Sequence, residues 1–335
     1  MSVDFQTLST LPRLLFSIPL APLQGSRFQP TGFPSLGAAT FQTSEGTSLL
    51  VESAQSMANR LEMTIWDEAS QDVIETVKGI SHVKVMREGK FLTDTILEAH
   101  RLNSPYLLVE SSKAFFNLLK EELGGLETGP INRRILAETL LKFDIGSLLH
   151  GVFLAKKELA GGRLRIARAI SAFIEADGAK VAASGGVKND HVNPSGDTKA
   201  GFGNVPFARD EFTADTITLY VNIDLAQIRG YGLGKDVEEL LIALALFKLR
   251  RLLSSNLRLR TACDLKATPT TIEASEPKGF VLPTESDLAT LVKEKIQATK
   301  DKMKVSEAKY DEPMKKGKEE PEDKPSDDRS ENHED

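Results

Sequence analysis

TITLYVNIDLAQI, residues 216–228, decides the fold. Ile217, Leu219, Val221, Ile223 and Leu225 alternate with polar neighbours, which is the period of a strand with one buried face. A glycine-rich turn, GYGLG, follows at 230–234. Residues 236–253 then place Leu240, Leu241, Leu244, Phe247 and Leu252 at helical spacing. Lys248, Arg250 and Arg251 stand near the end, where the helix dipole favours cations. From Asn256 the period returns to two, with Leu257, Leu259 and Cys263 on one side and Arg258, Arg260 and Asp264 on the other. The block reads strand, helix, strand.

Working outward, an earlier half has the same form. Residues 11–23 read as a strand, and VESAQSMANRLEMTIW (51–66) puts Val51, Ala54, Met57, Ala58, Leu61 and Ile65 on one helical face. Two such halves predict an α+β chain with an RRM-like, ferredoxin-like palm. Helical patterns at 111–123 and 131–142 and mixed signals at 147–176 read as insertions into it. Residues 178–215, punctuated by glycine and proline but carrying Val187, Val192, Phe202, Val205, Phe207 and Phe212, read as an ordered excursion. The expected organisation is one domain over 1–267, a linker and short helix over 268–300, and a disordered charged tail over 301–335.

Residues 301–335 hold 8 Lys/Arg and 13 Asp/Glu, nearly all of the net charge of −6, so the body is close to neutral. With Pro, Lys and Glu mixed and few apolar residues, this tail buries too little surface to offset its ordering entropy. The single cysteine, Cys263, rules out a disulfide framework and fits a reducing, cytoplasmic setting. It alternates as a small core residue, with no histidine near in sequence to activate a thiol. The N-terminal apolar stretch LPRLLFSIPLAPL is too short to span a membrane and is broken by three prolines. GYGLG makes neither a dinucleotide fingerprint nor a phosphate loop and reads as a tight turn.

Three stretches carry possible chemistry. QGSRFQPTGFPSLG (24–37) sets Gln24, Arg27 and Gln29 among turns whose N–H groups suit phosphate, although an ordinary loop with a salt-bridged arginine fits equally. KLRRLLSSNLRLR (248–260) holds five cations and no acid, with Arg250, Arg251, Arg258 and Arg260 suited either to a polyanion or to a solvated face. GRLRIAR, with Arg163, Arg165 and Arg168, is a shorter case. GGVKNDHVNPSGDTKAGFGNVPFARDEF (185–212) mixes Lys188, Asn189, His191 and Arg209 with aromatic rings, the chemistry by which splayed RNA bases are held. His100 and His150 read first as hydrogen-bonded structural residues.

Several of these strings, QGSRFQPTGFP, LLVESAQSMANRLE, EAHRLNSPYLL, LLHGVFLA, RLRIARAISAFIEA, GGVKNDHVNPSG, GFGNVPFARDEFTA, LYVNIDLAQIRGYGLG and LRLRTACDL, together resemble one family. It is the Cas-seven group of the RAMP superfamily, in the form found in subtype I-G (formerly I-U) CRISPR systems. The resemblance runs from about Leu11 to Leu265 and is weak over 67–93 and 111–135. It implies a CRISPR RNA-binding backbone subunit of a Cascade complex, present in multiple copies along the guide. It also implies guide-paired target DNA and, as partners, a large subunit and a capping or processing subunit. No cofactor and no bond-breaking role are expected. By matching motif, Arg27, Arg60, Arg101, Asn103, Lys188, Asn189 and Arg209 become the expected RNA contacts, and 178–215 the thumb. The alternative is a metal-dependent ribonuclease using Asp190, Glu211 or Asp224 with His100 or His191, although these acids are scattered in sequence.

Overall fold

The computed structural model describes residues 3–33, 37–109, 113–124, 131–255 and 257–313. In chain order the first half holds strands β1 (Arg13–Pro22), β2 (Thr40–Thr43) and β3 (Gly46–Glu52), then helix α1 (Ala54–Met63). After strands β4 (His82–Arg87) and β5 (Lys90–Asp94) come helices α2 (Ala114–Glu122), α3 (Arg133–Phe143) and α4 (Ile145–His150). Strands β6 (Val152–Leu154), β7 (Leu164–Ile166), β8 (Ile170–Asp177), β9 (Lys180–Lys188), β10 (Val205–Thr213) and β11 (Thr216–Asp224) follow. Helices α5 (Leu225–Gly230) and α6 (Lys235–Ser255), strands β12 (Arg258–Arg260) and β13 (Cys263–Ala267), helix α7 (Glu285–Thr299) and strand β14 (Val305–Lys309) complete it.

The stretch at 216–228 supplies the middle strand, β11, of a seven-stranded sheet ordered β12-β13-β1-β11-β8-β3-β2, antiparallel throughout. Phe16 lies opposite Val221, and Val221 opposite Ala172, so the period-two residues of three strands fall on one face. That face is the core: Leu14, Phe16, Ile18, Ile170, Ile174, Leu219 and Ile223 are fully buried, each worth roughly 1.5–3 kcal/mol for the larger side chains. Helix α1 begins at Ala54 because the Ser53 hydroxyl accepts the Ser56 N–H, and it buries Met57, Ala58 and Leu61.

Helix α6 is more enclosed than an amphipathic pattern predicts. From Leu240 to Leu249 every side chain is buried, Lys248 included, because α7 packs on its far side. The period-two run after Asn256 is also not one strand. The chain reverses at Thr261 and Ala262, whose φ is 61°, and pairs Arg258 with Asp264 and Arg260 with Cys263.

Residues 178–215 form a two-stranded ribbon in which β9 and β10 pair from Lys180–Thr213 to Lys188–Val205. Its tip is organised by the Asp190 carboxylate, which accepts the N–H groups of Val192, Asn193 and Gly203 at 2.9, 3.0 and 2.8 Å. The tail expected to be disordered from residue 301 contains β14, which pairs in parallel with β4 and buries Ala308. Alternating Ser306 and Ala308 supply a narrow buried face that composition alone conceals. Residues 314–335 of that tail lie outside the described residues. Among the described residues, no helix is long and apolar enough to cross a membrane.

Candidate nucleic-acid interface

Helix α4 is capped by Asp144, which accepts the Gly146 N–H at 3.1 Å and the Ser147 hydroxyl at 2.6 Å. It ends at His150, and Gly151 follows at φ 81°. A Cβ on Gly151 would meet the Ile166 carbonyl oxygen at 2.8 Å and the Arg168 nitrogen at 3.2 Å. Glycine is therefore what lets the backbone of 166–168 run against the end of α4. The ribbon β6/β7 grows from this junction and sets Phe153 directly across from Arg165, on the same face. Phe153 is 52% exposed, so its ring is open to a partner.

These elements, with the start of α1 and the turn at 99–103, wall a cleft of about 1110 Å³. Arg101, Arg133, Arg165, Arg168, His100 and Phe153 line it with the amides of Gln55, Asn59 and Asn103, and His150 forms part of its floor. Among the described residues, the lining holds no aspartate or glutamate. Asn103 anchors the wall by accepting the Ala155 N–H at 2.9 Å, and Arg168 donates through Nη2 to Gln55.

Behind the cleft lies a buried charged network. Arg101, 5% exposed, forms a bidentate pair with Glu62 of α1. Burial opposes its charge, but the Glu62 carboxylate more than compensates and raises the Arg101 pKa. Lys248 Nζ lies 2.9 Å from His150 Nε2. Burial lowers the Lys248 pKa to about 8, and burial together with Lys248 drives that of His150 well below its usual range.

A second, smaller cleft of about 450 Å³ joins Gln29, Gly32, Gly37, Arg209, Asp210 and Arg260. Two backbone hydrogen bonds between Phe28 and Phe212, at 2.9 and 2.8 Å, tie the 24–37 loop to the base of the β9/β10 ribbon. Arg27, though exposed, stands 3.7 Å from Glu211, which also receives Arg209. The cations here are thus met by acid. Residues 34–36 of this loop lie outside the described residues.

The expected contact residues separate into three groups. Arg165, Arg168 and Asn103 converge on the large cleft, and Gln29 and Arg209 on the small one. Gln24, Arg163 and Arg258 are exposed, as are Lys188, Asn189 and His191 at the ribbon tip. The remaining arginines fasten the fold. Arg60 donates to the Arg258 and Leu259 carbonyls, Arg250 to those of Leu282 and Pro283, and Arg251 to the Thr64 carbonyl and Glu285. Arg260 holds the carbonyls of Gln29 and Val51 and the buried Glu52. Arg101 also lines the large cleft, with its guanidinium mostly buried and engaged by Glu62.

Sequence reasoning missed Arg133, Phe153 and the cleft position of His100 and His150. One signal was available: Asn132 caps α3 and is followed at once by Arg133 and Arg134, cations at the helix end whose dipole disfavours them. The residues of the ribonuclease alternative do not gather. Asp190 organises the ribbon tip, Glu211 pairs with arginines, and Asp224 caps α5 by accepting the Gln227 N–H. Among the described residues no three His, Cys, Asp or Glu side chains cluster as a metal site would require.

Fold and cleft together define an α+β protein with an antiparallel sheet and a cationic groove walled by α1, the 99–103 turn, α3 and the β6/β7 ribbon, with no carboxylate among its described lining residues. The sequence model of the family CRISPR-associated protein GSU0053 matches residues 14–181, half of the chain, and the chain belongs to that family. All residues lining the large cleft fall within the matched span. Two solved structures resemble it distantly. One is titled CRISPR RNA-guided surveillance complex, pre-nicking, at 16% identity and TM-score 0.37, covering 76% of this chain and 75% of that one. The other is Thermofilum pendens Csc2, at 10% identity and TM-score 0.32, covering 87% and 78%. No curated protein matches the sequence.

Proposed function

We propose that this chain is a non-catalytic, cytoplasmic RNA-binding backbone subunit of a Cas-seven-type, subtype I-G Cascade complex. Several copies line up along one CRISPR guide RNA and hold it for pairing with target DNA, beside a large subunit and a capping or processing subunit. The carrying observation is the carboxylate-free cleft, where Arg133, Arg165, Arg168 and His100 face the same space as the exposed Phe153 ring. Guanidinium groups for phosphates beside a ring for a base are the combination that single-stranded RNA binding uses. Membership of a CRISPR-associated family supplies the biological setting.

The RRM-like reading of the palm is supported by connectivity. With β1, β8, β11 and β13 as its strands and α1 and α6 as its crossovers, the chain runs strand, helix, strand, strand, helix, strand. The β9/β10 ribbon suits a thumb, with Lys188, His191 and Phe202 exposed at or near its tip. Sequence readout then falls to guide–target base pairing, and the protein reads backbone and shape.

The purified protein is expected to carry RNA, seen as an ultraviolet absorbance ratio typical of nucleic acid that nuclease abolishes. It is also expected to bind labelled single-stranded RNA, with Arg165→Ala and Phe153→Ala each weakening binding about threefold to tenfold. Protein that ignores RNA even with its partner subunits present would refute the reading.

A further inference from the structure

His150 is 4% exposed, and its ring has one hydrogen-bond partner, the Lys248 ammonium at Nε2. An ammonium only donates, so Nε2 must accept. Lys248, with a pKa of about 8, is still mostly protonated at pH 7. A neutral imidazole that accepts at Nε2 carries its proton on Nδ1. Burial keeps the ring neutral, and the charges of Lys248, Arg101 and Arg168 reinforce this. His150 Nδ1–H is thus a committed donor, and among the described residues it has no acceptor.

Arg168 Nε–H is a second buried donor without an acceptor among the described residues, although Nη2 of the same side chain is held by Gln55. Eighteen positions separate the two in sequence, and the missing side chain of Gly151 closes the gap, since residues 166–168 run where its Cβ would stand. Both side chains line the large cleft. Buried donors are ordinarily matched, and here the surrounding wall offers arginines and no carboxylate to match them. The acceptor comes from outside the chain, water or an anion, and the sign of the wall favours the anion.

We infer that the floor of this cleft is a seat for one phosphate group, which accepts hydrogen bonds from His150 Nδ1–H and Arg168 Nε–H while Lys248 fixes the His150 tautomer from behind. Only the origin of the phosphate rests on the RNA reading. The same chemistry would hold a phosphodiester of bound RNA or a free phosphate.

The test uses the full chain with 15N-labelled histidine and follows the His150 imidazole by NMR, assigned by its loss in His150→Phe. The free protein is expected to show the Nδ1–H tautomer. Titration with inorganic phosphate, and separately with a single-stranded RNA oligonucleotide, is expected to shift the Nδ1 signal. A shift with both supports a general phosphate seat, and a shift with RNA alone assigns the seat to a phosphodiester. In parallel, His150→Phe is expected to weaken RNA binding about tenfold in fluorescence anisotropy, and His150→Asn, which returns an N–H near the Nδ1 position, to recover most of it. An Nδ1 signal that neither ligand moves overturns the seat, and so does RNA binding that survives His150→Phe yet falls with Arg165→Ala. The latter result leaves the RNA reading standing. Conversely, a phosphate response in a protein that binds no RNA removes the RNA reading and keeps the seat.

Discussion

At the residue scale, the arginines of this chain have two occupations, and burial separates them. Arg101 is the extreme case, a cleft-lining residue 5% exposed and locked to Glu62. Arg101→Ala strands a buried carboxylate and is expected to cost about 3–5 kcal/mol in urea unfolding. Unchanged stability with lost RNA affinity would return Arg101 to the list of contacts. His150 makes stability pH-dependent. Its folded pKa lies below its ordinary 6.5, so as pH falls through that value the unfolded chain takes up a proton that the buried ring refuses. From pH 7.5 to 6.0 this is expected to remove about 0.8 kcal/mol of stability, measured by the urea midpoint. Asp144 and Glu62 act in the opposite sense, because burial raises their pKa values and the folded state then binds their protons first. A midpoint that rises between pH 7.5 and 6.0 would contradict the assignment.

At the element scale, helix α3 and the β6/β7 ribbon form the cationic walls, and each breaks a local rule to do so. Arg133 opposes the dipole of α3 at its first turn, and Phe153 leaves half of its surface in water. Local cost without local gain is what a surface built for a partner shows. Arg133→Ala is therefore expected to stabilise the protein by about 0.3 kcal/mol in thermal or urea unfolding while weakening RNA binding about threefold to tenfold. A loss of both stability and affinity would make Arg133 a structural residue instead.

At the scale of the whole molecule, a body close to neutral still carries a groove of one sign, because its acids are used elsewhere: Glu52 and Glu62 inside, Glu211 at the ribbon base, Asp190 at its tip. Of the four guanidinium groups of the cleft, Arg101 is already paired with Glu62, and the other three set the expected salt dependence. The log of RNA affinity should fall against the log of salt with a slope of about −2 per copy, and Arg165→Ala should reduce the slope by roughly 0.7. A slope near zero would argue against gripping through phosphates.

Period two and period three-point-six, read from residues 11–23, 54–63 and 216–264, located β1, β11, α1 and α6, because side-chain alternation is a local property of the backbone, but β8 was read as part of an insertion and Val51, read as helical, belongs to strand β3. The ordered ribbon at 178–215 was legible from its aromatic residues for the same reason. The partners of the arginines were not legible. Arg250 and Arg251 read like Arg165 and Arg168 in sequence, yet one pair meets carbonyls and an acid while the other lines a cleft. Only tertiary structure decides this, since a guanidinium takes its role from whatever acceptor the folded chain brings within about 3 Å. The cleft itself gathers segments between Gln55 and Ser171 that no spacing connects. The sequence alone determined the strongly periodic elements, and packing decided the rest of the sheet and which charges were left facing outward.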